Sequence, residues 1–116
     1  MAMFKYTIPH IPPSINNYIG RTNVFEYQRE KVTWKEYCMA YCRPKPQKPP
    51  KKVMVKLSFY FKDNRRHDAD NYQKFIMDGL VTARVIQDDD FAHCTTFCEG
   101  FVDKNNPRTE IEITEV

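Results

Sequence analysis

Val53, Val55, Leu57, Phe59 and Phe61 alternate strictly with other residues over a nine-residue run. A period of two puts all five apolar side chains on one side of an extended chain, which marks the clearest strand in the sequence. A strand with one such face needs a covering layer, so helices have to lie against the sheet it belongs to. The 116 residues suit one domain, spanning 1–116, and a 41% apolar content with eight Phe and seven Tyr is enough for a modest core.

The other segments arrange themselves around that strand. Phe4, Tyr6 and Ile8 alternate with Lys5 and Thr7, giving a strand over 3–8. Pro12-Pro13-Ser14-Ile15-Asn16-Asn17 forbids regular structure and reads as a loop ending near Gly20-Arg21. From Glu26 to Arg43, Val32, Tyr37, Ala40 and Tyr41 recur at helical spacing, and the prolines from Pro44 to Pro50 then stop the helix in an extended basic linker. Tyr72, Phe75, Ile76 and Leu80 predict a second helix over 71–84. Two strands follow at 95–102 and 108–115, joined by an Asn105-Asn106-Pro107 turn, with Ile111 and Ile113 facing inward. The order β-α-β-α-β-β predicts a single small α+β domain, its two main helices packed on a mixed or mostly antiparallel sheet.

The net charge of +3 says little, but its distribution says more. Lys and Arg gather in 43–66, and acids gather in 68–90 and at the C-terminal end. A basic surface beside a tight acidic cluster suits an enzyme that handles a polyanion through a bound metal. No apolar run approaches the ~18–20 residues of a membrane span, and there is no signal-peptide core, so a cytoplasmic protein with reduced thiols is expected. Cys38 and Cys42 fall on a helix and Cys94 and Cys98 on or near a strand. Structural zinc draws its cysteines from tight turns, so these four read better as small buried residues.

The chemistry concentrates in Arg65-Arg66-His67-Asp68-Ala69-Asp70-Asn71-Tyr72-Gln73-Lys74, followed by Asp78 and then Asp88-Asp89-Asp90. In an extended backbone Asp68 and Asp70 point to the same side, and hard Mg²⁺ takes such carboxylates together with phosphate and water. Lys74, one helical turn beyond Asp70, would stabilise phosphate charge, or position or deprotonate a water. The same residues also have a plain structural use. Asp70 and Gln73 have capping-box spacing at a helix start, and Asp88 to Asp90 would make an ordinary solvated turn.

In combination the run R-R-x-D-x-D-N-x-x-K-x-x-x-D-x-L, with Asp88-Asp89 ten residues after Asp78, resembles the signature of RusA-type junction resolvases. The opening Pro12-Pro13-Ser14-Ile15-Asn16-Asn17-Tyr18, with Arg21 soon after, is similar to that family's N-terminal loop. The resemblance covers nearly the whole chain. It implies a homodimeric, Mg²⁺-dependent (or Mn²⁺-dependent) endonuclease, often carried by phages and prophages, that resolves four-way (Holliday) junctions by symmetric paired nicks in DNA recombination and repair. The family's catalytic acids fall on Asp68, Asp70 and Asp89 and its lysine on Lys74, with Asp88 beside them as a further metal ligand. Asn16, Asn17 and Arg21 would face the DNA. Arg65 and Arg66 would hold neighbouring phosphates or neutralise the acids; the linker bases Lys45, Lys48, Lys51 and Lys52 would bind backbone or simply be solvated. A non-catalytic branched-DNA-binding module of the same fold, and a nuclease for other branched DNA, are the rival readings. One geometric demand stands out. A helix of ~14 residues would be ~21 Å long, so Asp89 reaches Asp70 only if the chain doubles back along the helix, the helix ends early near Gly79, or a second subunit completes the site.

Overall fold

The computed structural model describes residues 3–14, 24–65 and 68–116. The elements are β1 (Met3–Ile8), α1 (Val24–Tyr41), β2 (Val53–Phe61), a 3-10 turn (Ala69–Tyr72), α2 (Lys74–Thr82), β3 (Cys94–Val102) and β4 (Arg108–Glu115). The four strands form one sheet in the order β1-β4-β2-β3. β4 runs antiparallel to both β1 and β2, while β2 and β3 are parallel. The sheet is therefore mixed. Its one parallel pair follows from α2, because parallel neighbours need a long crossover and α2 supplies it.

One face of the sheet carries the core. Tyr6 and Ile8 of β1, the five alternating residues of β2, and Ile111 and Ile113 of β4 are all buried. In register, Tyr6 lies opposite Ile111, which lies opposite Leu57, and Phe4 opposite Ile113 and Val55, while the row of Ile8 and Phe59 passes through buried Thr109. The opposite face has no helix over it. There Met54, Phe97 and Phe101 are exposed, Lys56 pairs with Glu99 at 3.6 Å, and the Arg108 guanidinium lies 3.8 Å above the Tyr60 ring.

The helices meet at Gly79. A Cβ placed there would lie 2.6 Å from Cys38 Sγ and 2.9 Å from the Trp34 carbonyl oxygen, so the contact requires a residue with no side chain. The buried seam of α1 and its exit is Trp34, Cys38 and Cys42, one helical turn apart. This corrects the stripe inferred from the sequence. Val32, Ala40 and Tyr41 are exposed and only Tyr37 is half-buried. Small thiols let α1 approach α2 closely, and that requirement outweighs the larger apolar residues elsewhere on the helix.

α2 is also shorter than the periodicity implies, with nine residues against the expected span of 71–84. Its start is displaced by the 3-10 turn, and its end is an abrupt reversal. Arg84 takes the left-handed conformation at φ 63°. The Val85 amide donates to the Leu80 carbonyl at 3.0 Å and the Arg84 amide to that of Val81 at 3.1 Å. These two bonds are the Schellman pattern, with buried Leu80 and Val85 meeting beneath it.

The basic linker crosses this same end of the molecule. Tyr6 Oη donates to the Pro44 carbonyl at 2.7 Å, Lys45 Nζ to the Ala83 carbonyl at 3.3 Å, and Gln87 Nε2 to the Pro49 carbonyl at 3.2 Å. Burial first, and the nearby Cys42 second, push the Tyr6 phenol up to about 12. Among the described residues no helix is long and apolar enough to cross a membrane.

Candidate active site

Asp68 has extended backbone, at φ −104° and ψ 106°, and immediately precedes the 3-10 turn that contains Asp70. The alternation that would set the two carboxylates on one side stops at Asp68, because Asp70 already belongs to the turn. The capping box is absent as well. Neither Asp68, which caps the 3-10 turn, nor Gln73, which caps α2, makes a side-chain cap bond. The turn is closed by backbone alone, the Asn71 amide donating to the Asp68 carbonyl at 2.9 Å. Among the described residues no donor bonds to the carboxylate of Asp68 or Asp70, and both residues are exposed.

Lys74 is the first residue of α2, where the positive end of the helix dipole disfavours a cation. Its Nζ is held instead by Asp78 Oδ1 at 3.2 Å, one turn on. Burial pulls the lysine's pKa down, but the bond and charge of Asp78, with contributions from Tyr27 and Asp89, outweigh it and leave the pKa raised. Lys74 therefore stays protonated at neutral pH. That favours a fixed positive charge over a base that removes a proton from water. Asp78 was not among the site residues inferred from sequence, although its i,i+4 spacing from Lys74 is the signal that would have found it.

The chain doubles back along α2 after the Arg84 reversal, and Asp89 returns to Lys74. Burial first, then the Asp88 carboxyl and the charge of Asp78, push the Asp89 carboxyl above the usual carboxylate range, with Lys74 acting against them. The three consecutive acids have separate tasks. Asp88 Oδ1 accepts the Asp89 amide at 2.7 Å. Asp90 Oδ1 accepts the His93 amide at 3.2 Å and meets His93 Nδ1 at 2.6 Å. Only Asp89 acts on Lys74 and Asp78.

β3 forms the floor between the two acidic segments. Burial, followed by the charge of Asp70, pushes the Cys98 thiol up to about 11. At the other end of the strand burial raises Cys94, with Asp89 and Asp90 adding to it. Asp70 and Asp89 thus act on residues four apart along one strand, a separation of ~13 Å. Thr96 stands half-buried between the two cysteines on the same face. Among the described residues no three carboxylate, imidazole or thiol groups converge closely enough to enclose a metal ion.

The remaining sequence candidates are placed as follows. Arg65 is tied to Asp63, through Nε to Oδ2 at 3.3 Å, and not to Asp68 or Asp70. Lys45 is engaged with the C-terminal end of α2. Lys48, Lys51 and Lys52 are exposed, on the linker that Gln87 holds beside the acidic loop. Asn16, Asn17, Arg21 and Arg66 lie outside the described residues. Of the cysteines, Cys38, Cys42 and Cys94 are buried members of the core.

The donor set fits a hard divalent cation. It is made of carboxylates, two of which have no bonded donor among the described residues while a third, Asp89, is raised by burial first and by Asp88 and Asp78 after it, and oxygen ligands with that surplus of negative charge suit Mg²⁺ or Mn²⁺. The family description Endodeoxyribonuclease RusA matches residues 9–114 of the chain. The chain belongs to the RusA family of endodeoxyribonucleases. The match takes in both acidic segments, Lys74, Asp78, every element from α1 to β3, and all of β4 but its last residue. Membership makes the protein a nuclease of the hydrolase class, with the small α+β fold described above. No individual curated protein matches the chain.

Proposed function

We propose that this RusA-family chain is a divalent-metal-dependent endonuclease that cuts four-way DNA junctions in recombination and repair. The observation that supports the reading is that Asp89, far along the chain, acts on the Lys74–Asp78 ion pair at the start of α2. Asp68, Asp70, Asp88 and Asp89 are the residues that would hold Mg²⁺ or Mn²⁺. Bound there, such an ion supplies Lewis-acid polarisation of a phosphate and a water of lowered pKa.

The chain's own groups do the rest. Lys74, protonated and anchored by Asp78, holds positive charge toward a phosphate oxygen as negative charge develops on it. Asp78 positions Lys74 and keeps it protonated. Arg65, Arg66, Lys48, Lys51 and Lys52 draw in the DNA backbone, and Asn16, Asn17 and Arg21 are further DNA contacts, so affinity falls steeply with salt. Lys45 contributes less, because it already serves the end of α2. A two-fold homodimer sets two such sites on opposed strands, and paired nicks then follow from symmetry. These substrates and the phage or prophage setting belong with a cytoplasmic protein.

The test is strand cleavage of a mobile four-way junction in Mg²⁺ and in EDTA, beside a linear duplex of the same sequence. Paired nicks on the junction alone, lost in EDTA, are the expected result. Junction binding without any cut, across several divalent metals and junction sequences, would leave only a binding module.

A further inference from the structure

Phe25 and Phe91 are each 91% exposed, against 67% for Val116, the next most exposed large apolar residue among those described. Phe91 has the more telling surroundings. It directly follows Asp88-Asp89-Asp90, in a turn whose bonds do not involve its side chain. The Asp90 carbonyl accepts the His93 amide at 3.1 Å and the Cys94 amide at 2.9 Å, while the Asp90 carboxylate holds His93 from the side. The Val53 amide then ties the His93 carbonyl to β2 at 2.9 Å. The turn is fixed at both ends, and it presents an aromatic ring to solvent.

The surroundings of that ring select its partner. A protein interface would surround it with further apolar side chains, and its chain neighbours here are three acids and an alanine. Two residues before it in the chain is Asp89, which acts on the Lys74–Asp78 pair. The linker carrying exposed Lys48, Lys51 and Lys52 is hooked to Gln87, four residues before Phe91 in the chain. Proteins hold an unpaired nucleobase by stacking it on an exposed aromatic ring while cations follow the phosphates, and this ring and the lysine-bearing linker are the parts available here. We propose that Phe91 stacks on a base left unpaired at the branch point, next to the phosphate that Asp89 serves. The inference rests on the nuclease reading and deepens it, because a continuous duplex offers Phe91 no free base face. Branched DNA then engages a contact that linear DNA lacks.

The experiment uses the full chain as wild type, Phe91→Ala and Phe91→Trp, with four-way junctions carrying 5-iodouracil at the branch point and a duplex of the same sequence. Junction affinity and cleavage should fall about 10- to 100-fold in Phe91→Ala and recover in Phe91→Trp, with duplex affinity unchanged. In the wild type the photo-crosslink should map to Phe91. The proposal is overturned if Phe91→Ala binds and cuts junctions within twofold of wild type, or if junction and duplex affinity fall together. It is also overturned if the alanine variant changes oligomeric state in sedimentation, which would make Phe91 a protein contact. A wild type that cuts junctions while Phe91→Ala cuts equally well removes the stacking alone. A wild type that neither binds nor cuts them removes the nuclease reading and this inference with it.

Discussion

At its C-terminal end α2 leaves little unbonded. Ala83, Arg84, Val85 and Ile86 all return amides to the helix, Lys45 takes the Ala83 carbonyl, and Leu80, Val85 and Ile86 are buried. At its N-terminal end the same helix begins without a side-chain cap, with a lysine where the dipole disfavours one and with two carboxylates that no described donor reaches. One end is arranged for the fold. The other ties Lys74 to Asp78 but leaves the Asp68 and Asp70 carboxylates without a bonded donor among the described residues. Functional sites often break the local rules that the rest of a protein obeys, and here the two behaviours flank one nine-residue helix.

The sharpest way to break this contrast is Asp70→Asn. Junction cleavage should drop by at least ~100-fold, while junction binding is kept or strengthened as repulsion from phosphate falls. Stability should stay within ~0.5 kcal/mol of wild type, because no described group bonds to the carboxylate. A nicking assay, a gel shift and urea unfolding read the three quantities, and loss of folding with activity would make Asp70 structural. Gly79→Ala should do the reverse. Its new methyl meets Cys38 and the Trp34 carbonyl, so the fold should lose about 1–3 kcal/mol in urea. An unchanged midpoint would mean the helices do not touch there.

Smaller effects probe each end more finely. Arg84→Gly removes the strain of a side chain at φ 63° and should gain about 0.5–1 kcal/mol. A loss would show that the Arg84 side chain holds something in place. Asp89→Asn should raise the melting temperature of metal-free protein slightly while abolishing cleavage. The sign follows from the raised carboxyl. Ionising Asp89 costs the folded state more than the unfolded one, so the cost is present above the folded pKa and disappears as pH falls through it. The gain should therefore be seen at neutral pH and close as pH drops into the carboxylate range. Added Mg²⁺ should raise the wild-type melting temperature more than that of the variant.

The sheet was legible because period two is rarely ambiguous. β2 was read to its boundaries and β4 with its inward isoleucines. α1 was legible as a helix but not as a face, since its seam rests on a tryptophan and two cysteines that no hydrophobic count favours over valine and tyrosine. The 3-10 turn was hidden by a false capping box, Asp70 and Gln73 having the spacing without the bond. The return of Asp89 depends on Arg84 adopting a conformation that normally calls for glycine, and nothing in the local sequence announces it. Family resemblance nominated the acidic segments and Lys74; the ion pair of Lys74 with Asp78 is seen in the fold, although its i,i+4 spacing was already in the sequence.

The sheet order also has a meaning for the timing of synthesis. β4 is last in the chain yet sits between β1 and β2, pairing Thr114 with Met3 on one side and with Met54 on the other. Until residues 108–115 have left the ribosome the first two strands have no neighbour to join them, and β3 floors the site only against a sheet that is still open. Such long-range closure is slow and late. A chain interrupted in translation would carry the acids, the lysine and the basic linker, yet no finished cutting site. A cell making this protein is in that way spared half-built scissors among its own chromosomes.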